Sequence, residues 1–318
     1  YFTLIVLSTM AKVVRYFPYY LDGKNVRFIP VPRLSVIIPT HKRAETLIKC
    51  LDHLESQTAA KDIEVIVVSD GHDPETAALF ANKKWKLPTR FIEIEKRQQG
   101  TARNHGIQAA SAPYCLFIGD DIFLDAQACA EHLYVHDLSA NTAVLGHTTW
   151  NPQVNVTPAM EWLELSGWQF AYPQIERFSQ TFIPESMQHQ FTYTSHISLP
   201  TALAKKHFFR EDVLLYGWED VEWGTRLRST GIPLYYNPKA KALHHHRISM
   251  EDSLKRMETL GKSVVHMKKL LPEFDRLPIG WKRIAYELAS LLPTQAGKHR
   301  KAFLRGIKQA QKLSHPYS

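Results

Sequence analysis

Two adjacent carboxylates, Glu219 and Asp220, stand between two tryptophans in the stretch Gly217-Trp218-Glu219-Asp220-Val221-Glu222-Trp223. Tryptophan is seldom left open to water without a use, and aromatic faces beside carboxylates suit a sugar ring, here with Trp218 and Trp223 as its walls. A carboxylate in such a site can take a proton from a hydroxyl. Acids at the start of a helix are also electrostatically favoured whatever their role. A second acidic pair, Asp120-Asp121, lies upstream, directly after the apolar run Tyr114-Cys115-Leu116-Phe117-Ile118 and Gly119. Mg²⁺ and Mn²⁺ are hard cations that take one or two carboxylates plus substrate phosphates, so a pair at a strand end suits a metal–diphosphate centre. Read alone, the pair is more simply a solvated turn.

Other candidates are weaker singly. Asp70, in Ser69-Asp70-Gly71, can accept the ring N–H of a base such as uracil, or can make an Asx-turn. Gln98-Gln99-Gly100-Thr101-Ala102-Arg103-Asn104-His105-Gly106 is a polar loop running into a helix. Helix-start amides with Arg103 suit a diphosphate or its sugar; an ordinary helix start with one surface Arg is the plain reading. His244-His245-His246 ends a β-pattern, so His244 and His246 share a face, and one of them can offer a ring nitrogen to a metal. Apart from such a role the triple is a surface cluster. His147 and His196 read as structural.

The elements that must hold these groups alternate. Leu34–Ile38, Ile63–Val68, Phe91–Ile94 and Tyr114–Ile118 read as buried strands. Helices are expected over 44–56, from Asp73-Pro74 onward, and over 102–110. Such alternation predicts an α/β fold with a mostly parallel central sheet flanked by helices, with ligands gathered at the carboxyl ends of the strands. The second half is less regular. Residues 150–190 read as a substrate-facing excursion, 191–198 as a strand, 219–228 as a helix, 234–236 and 242–246 as short strands, and 251–270 as a helix.

With 318 residues, the chain is long enough for one large domain with appendages. No run reaches the ~18 apolar residues that span a bilayer. The apolar opening, residues 1–7, reads as a leader remnant or upstream sequence outside the fold. Three cysteines without metal spacing favour a reducing, cytoplasmic compartment. A net charge of +8 suits anionic substrates or an anionic membrane face, and no nucleic-acid-binding motif accompanies it. The residues from Trp281 onward interleave Lys and Arg with apolar residues. They read as a helical cap with a solvated basic face, or as a peripheral contact with the inner face of the membrane.

Taken in order, Ser35-Val36-Ile37-Ile38-Pro39-Thr40, Val67-Val68-Ser69-Asp70-Gly71, Ala102-Arg103-Asn104-His105-Gly106, Phe117-Ile118-Gly119-Asp120-Asp121, Gly217-Trp218-Glu219-Asp220 and His244-His245-His246 resemble a family 2 glycosyltransferase with the GT-A fold. The resemblance covers roughly residues 33–270. It implies an N-terminal extension (1–32), a nucleotide-binding half (33–125), an acceptor half (126–270) and a basic helical C-terminal extension (271–318). It further implies an inverting, metal-assisted transfer of a sugar from a nucleotide-sugar, UDP-linked by expectation, to a hydroxyl of a glycan or lipid-linked acceptor.

The roles it implies are these. Pro39 and Thr40 line the nucleotide pocket, and Asp70 holds the uracil. Arg103 and Asn104 lie near the donor sugar and diphosphate, and Asp120 contacts the ribose or the donor sugar. Asp121, with His244 or His246, holds Mn²⁺ or Mg²⁺. Asp220 is the general base and Glu219 holds the acceptor. Gly119 and Ser69 depart from the pattern, each standing where the family has an acid, and His196 stands where Asn is frequent. No Gln-x-x-Arg-Trp element follows Asp220, which argues against a processive membrane-embedded polymerase. A sugar nucleotidyltransferase would carry a Gly-rich loop after the first strand, absent at Pro39-Thr40-His41-Lys42-Arg43. A non-catalytic carbohydrate- or nucleotide-binding relative is the other alternative.

Overall fold

The computed structural model describes residues 19–22, 25–28, 31–213 and 216–313, so the apolar opening stretch lies outside it. Strands β1 (Tyr19–Asp22) and β2 (Asn25–Phe28) pair antiparallel. Then β3 (Leu34–Thr40), α1 (Ala44–Glu55), β4 (Ile63–Asp70), α2 (Pro74–Asn82), β5 (Thr89–Ile94), α3 (Gln99–Ala109) and β6 (Tyr114–Ile118) alternate as expected. β5, β4, β3 and β6 are parallel neighbours in that order. Covered on both faces, β3, β4 and β6 are largely apolar and buried, and the polar side chains they enclose are satisfied inside the fold, as where Ser35 donates to Glu64. Asp73 caps α2 by accepting the Thr76 amide, with Pro74 at the first helical position. Gly106 lets α3 lie flat on β3, because a Cβ there would stand 2.3 Å from Ile37 Cγ2.

The second half contains β7 (Ile122–Leu124), α4 (Ala128–Leu138), β8 (Ala143–Trp150), α5 (Pro158–Leu165), α6 (Tyr172–Ile175), β9 (Thr181–Ile183) and α7 (Glu185–Gln188). It continues with β10 (His196–Pro200), α8 (Thr201–Lys206), α9 (Glu219–Arg228), β11 (Leu234–His244), α10 (Met250–Leu270), α11 (Gly280–Ser290) and α12 (Gln295–Leu313). The sheet extends from β6 through β10, β8 and β11 to β7, with β9 also on β11. β10 runs antiparallel to both β6 and β8. The expected mostly parallel sheet is therefore parallel in its first half and mixed in its second.

Two further expectations are revised. The short strands at 234–236 and 242–246 are one strand, β11, whose register shifts between Tyr236 and Lys241. That shift spans Pro238, which cannot donate to a ladder. Strand β10 starts only at His196, and Phe191 is a fully buried core side chain. The segment 150–190 folds as short elements, with Trp150, Met160, Leu163 and Ile248 as a small core of their own.

The C-terminal helices form a cap. α10 and α12 cross where Gly261 and Gly306 meet the partner's backbone: a Cβ would lie 2.1 Å from Phe303 O and 2.0 Å from Glu258 O, respectively. Val264, Met267, Phe303 and Ile307 fill the interface. Among the described residues no helix is long and apolar enough to cross a membrane.

A histidine cluster is buried behind β10. His132 and His136, one turn apart on α4, each contact Ser198 Oγ at 2.8 Å, and the His196 ring stands 5.0 Å from His132. Burial lowers all three pKa values, His136 to about 4 and His196 to about 3. An unfolded histidine titrates near 6.5, so below that pH the unfolded chain binds protons that the folded chain refuses. Stability from this cluster is complete above pH ~6.5 and is lost as pH falls, by about 1.4 kcal/mol per unit for each histidine. Asp120 and Asp220, raised to about 6 by burial, offset part of this by gaining protons on folding. His136→Gln keeps a donor for Ser198 and removes one titrating group. Urea unfolding between pH 7.5 and pH 5 is expected to show an acid-side slope shallower by about 1.4 kcal/mol per unit in this variant. An unchanged slope would remove His136 from the account.

Candidate active site

The ends of β3 and β6 build the acidic side. Thr40 Oγ1 donates to Asp120 Oδ2 at 2.8 Å. Arg43 reaches both acids, with Nη1 2.9 Å from Asp120 Oδ1 and Nη2 3.0 Å from Asp121 Oδ2. The turn that delivers Arg43 is fixed by Lys42, at φ +53°, whose amide donates to Asp73 Oδ2 at 2.9 Å. Glycine stands at 119 for a local reason: a Cβ would lie 2.8 Å from Asp121 Oδ1.

Pairing of β7 with β11 sets His244 opposite Ile122, and the His245 amide donates to Asp121 O at 2.7 Å. His244 Nε2 then stands 3.5 Å and His246 Nδ1 3.8 Å from Asp121 Oδ2. Trp150 stacks on His244 at 5.1 Å. The two acids are driven apart electrostatically. Burial and the charge of Asp121 raise Asp120 to about 6, against Arg43 and Thr40. Burial pushes Asp121 up as well, but its contact with His244 and the charge of Arg43 outweigh this and hold it well below the carboxylate range.

Asp121, His244 and His246 are the residues here that could contribute ligands to a divalent ion. His244 turns Nε2 toward the Asp121 carboxylate, with His246 Nδ1 slightly farther off, while His244 Nδ1 is buried without a partner. Among the described residues no group of three or more His, Cys, Asp or Glu is arranged to hold a metal on its own. Such a partial set matches an ion that draws its other ligands from substrate phosphates.

The ends of α3 and α9 build a second charged cluster. Arg103 is buried, with Nε and Nη1 lacking hydrogen-bond partners, and its Nη1 stands 4.0 Å from Glu219 Oε1. Gln99 Nε2 donates to the same Glu219 oxygen. Desolvation lowers the pKa of Arg103, with the charges of Glu219 and Asp220 opposing. Asp220 Oδ1 accepts the Val221 amide at 2.8 Å. Burial and then Glu219 raise Asp220 to about 6, against the charges of Arg103 and Arg256.

Several expected contacts are placed otherwise. Trp223 is fully buried, stacks on Phe209 at 4.5 Å and donates to His207 O, so it cannot face an acceptor. Trp218, at φ +72°, turns to the C-terminal cap, donating to Leu260 O and meeting Phe274 and Phe303 edge-on. Asn104 spends its amide on Phe209 N, Phe209 O and Glu211 Oε1, so it clamps that loop rather than a donor. Asp70 accepts the Arg97 amide at 2.7 Å and pairs with Lys96 at 3.1 Å. Pro39 is partly exposed at the same sheet end.

A cavity of about 350 Å³ opens beside His244, lined by His147, Thr149, Trp150, Glu164, Phe170 and Tyr172. Phe170 also contacts His244 and Tyr193, the latter within the electrostatic reach of Asp220. Sequence reasoning passed over Arg43 and Gln99. The available signal was positional: Arg43 follows the β3 end that carries Thr40, and Gln99 opens the helix that carries Arg103.

The glycosyl transferase family 2 model matches residues 35–197. The chain belongs to that family. Validoxylamine A glucosyltransferase of Streptomyces hygroscopicus subsp. jinggangensis is 29% identical over 266 residues, which cover 76% of this chain and 63% of that protein. Glycosyltransferase AglE of Haloferax volcanii is 37% identical over 94 residues, 29% of this chain and 31% of that one. The chain thus spans about three fifths of the length of the first curated relatives, 63% and 58%.

Among solved structures, mannosyltransferase PcManGT from Pyrobaculum calidifontis in complex with GDP-Man and Mn²⁺ superposes with a TM-score of 0.54 at 17% identity, covering 88% of this chain and 75% of that one. S. aureus TarS 1-349 in complex with UDP gives 0.53 at 15%, covering 90% and 92%. At these identities the likeness shows the fold, which is GT-A.

Proposed function

We propose that the protein is an inverting glycosyltransferase that moves a sugar from a nucleoside-diphosphate donor, UDP-linked by preference, to a hydroxyl of a glycan or lipid-linked glycan on the cytoplasmic side. The observation that carries this reading is a pair of charge clusters bridged by Phe170, whose ring meets both His244 and Tyr193. Asp121 with His244 and His246 makes up one, and Asp220, half-buried and raised to about 6, makes up the other beside the under-partnered Arg103.

Arg103 would bind the donor's anionic part, supplying N–H groups the fold leaves unmet. Asp220 would hold the acceptor hydroxyl and take its proton as the oxygen attacks the anomeric carbon. Glu219, fixed by Gln99 and Arg103, would orient that hydroxyl. Asp121, with His244 or His246, would hold a divalent ion, which when bound supplies positive charge beside the diphosphate. The aromatic cavity along β8, with Glu164 at its wall, offers the acceptor a stacking surface and a hydrogen-bond acceptor.

Neighbours in complex with GDP-Man, UDP and UDP-GlcNAc leave the donor's base to experiment. The test is nucleotide release from UDP-, GDP- and dTDP-sugars with Mn²⁺, Mg²⁺ or EDTA, with binding measured in parallel. Metal-dependent release of one nucleotide is expected. Neither release nor binding with any donor would overturn the reading.

A further inference from the structure

We propose that the hairpin of α11 and α12 is a docking surface for an anionic lipid bilayer. No residue of α11 is buried. Trp281, Ile284, Leu288 and Leu291 are 74%, 60%, 63% and 77% exposed, and their spacing puts them on one helical face. Ile279 and Leu292 extend the stripe at its two ends, both exposed. Soluble surfaces seldom carry so contiguous an apolar patch without a partner. The helix is held by its opposite edge, where Tyr286 meets Phe303 at 5.8 Å and Arg300 at 5.7 Å.

The neighbouring helix supplies the charge. α12 contains no Asp or Glu. Its inward face, Ala302, Phe303, Leu304 and Ile307, is buried against the cap. Its exposed positions include Lys298, Lys301, Arg305, Lys308 and Lys312, again at one-face spacing. An apolar stripe with an interfacial tryptophan on α11 and a stripe of Lys and Arg on the adjoining α12 together have the composition of a segment lying in the headgroup region of an anionic membrane.

The alternatives fit less well. A second copy would bring a like-charged stripe toward this one on a chain of net charge +8. A nucleic acid would use the basic stripe and leave the Trp-Ile-Leu face bare. Docking is independent of the transferase reading; only its consequence, delivery of the active site to a lipid-linked acceptor, rests on it.

The full chain is sedimented with vesicles of phosphatidylcholine alone and of phosphatidylcholine with phosphatidylglycerol, at low and high salt. Binding is expected on the anionic vesicles only, and weaker in high salt. Lys301→Glu with Lys308→Glu should reduce it roughly 30-fold or more. Ile284→Glu with Leu288→Glu should abolish it. All of these side chains are exposed, so thermal melts and donor hydrolysis should match the parent protein, which separates failure of docking from failure of the transferase reading. Equal pelleting of parent and variants, or none on anionic vesicles, overturns the proposal. So does a concentration-dependent dimer by light scattering that the Ile284→Glu, Leu288→Glu variant loses, since it would assign the face to a second copy. Retention on heparin abolished by the lysine variant, without vesicle binding, overturns it in favour of a soluble polyanion.

Discussion

Asp220→Asn is expected to reduce turnover by about 10²–10⁴-fold, the usual contribution of a positioned general base, while leaving donor affinity little changed. The substitution is nearly isosteric and retains an oxygen for the Val221 amide, so the α9 N-terminus should keep its shape. What it removes is proton affinity. Burial and the neighbouring Glu219 raise Asp220 to about 6, closer to neutrality than an ordinary aspartate, so the ionised group at pH 7 is a stronger base than a solvated one. The sign of the pH dependence follows. The base acts deprotonated, so kcat/KM of the parent enzyme should be full above pH ~6 and fall as pH drops through 6, where an unperturbed aspartate would hold its activity to about 4. In Asp220→Asn the residual rate should lose that limb. Near-parental turnover at pH 7.5, with bound donor confirmed by calorimetry, would remove Asp220 from the base role.

The first half of the fold and the strand-end acids were legible because burial on both faces makes β3, β4 and β6 mostly apolar, with runs such as Val36–Ile38, Val65–Val68 and Cys115–Ile118. Their ends are marked where those apolar runs give way to Pro39-Thr40, Ser69-Asp70 and Gly119-Asp120. The mixed second half was not legible in that way. β10 enters antiparallel between β6 and β8, and five residues from His196 to Pro200 carry no sign of direction.

The tryptophans misled for a related reason. Trp223 shares a helix face with Leu227, both buried, and this pair was the available sign that its ring belongs to the core. Trp218 sits in the left-handed region at the start of α9, where side-chain direction departs from helical phase. Asn104 lies in a motif whose amide the fold spends on Phe209 and Glu211, far along the chain. No local pattern announces such a clamp. Arg43 needed only the realisation that its strand end is the same edge that presents Asp120 and Asp121.

Asp121→Ala is expected to abolish metal-dependent tightening of donor binding, on the order of 10²-fold or more, since even outer-shell partners of a metal ligand are worth 10–100-fold. The argument rests on how the acids divide. Asp120 is 4% exposed and held by Thr40 and Arg43, with its carboxyl raised to about 6. Asp121 stays ionised well into acid and is the one set beside His244 and His246. Arg43 complicates the measurement in a useful way. Its guanidinium reaches both acids, so a divalent ion must share or displace that charge. Removing Asp121 leaves Arg43 paired one to one with Asp120, which leaves neither charge without a partner and should preserve folding. Calorimetric titration of UDP with and without Mn²⁺ separates the outcomes. The parent should show a metal-dependent gain in affinity; the variant should show metal-free affinity under both conditions, with an unchanged melting temperature. Arg43→Gln, which removes the competing cation and leaves Asp121 in place, should shift Mn²⁺ affinity in the opposite direction. A variant at 121 that still binds UDP more tightly in Mn²⁺ would move the metal away from the Asp121–His244 corner.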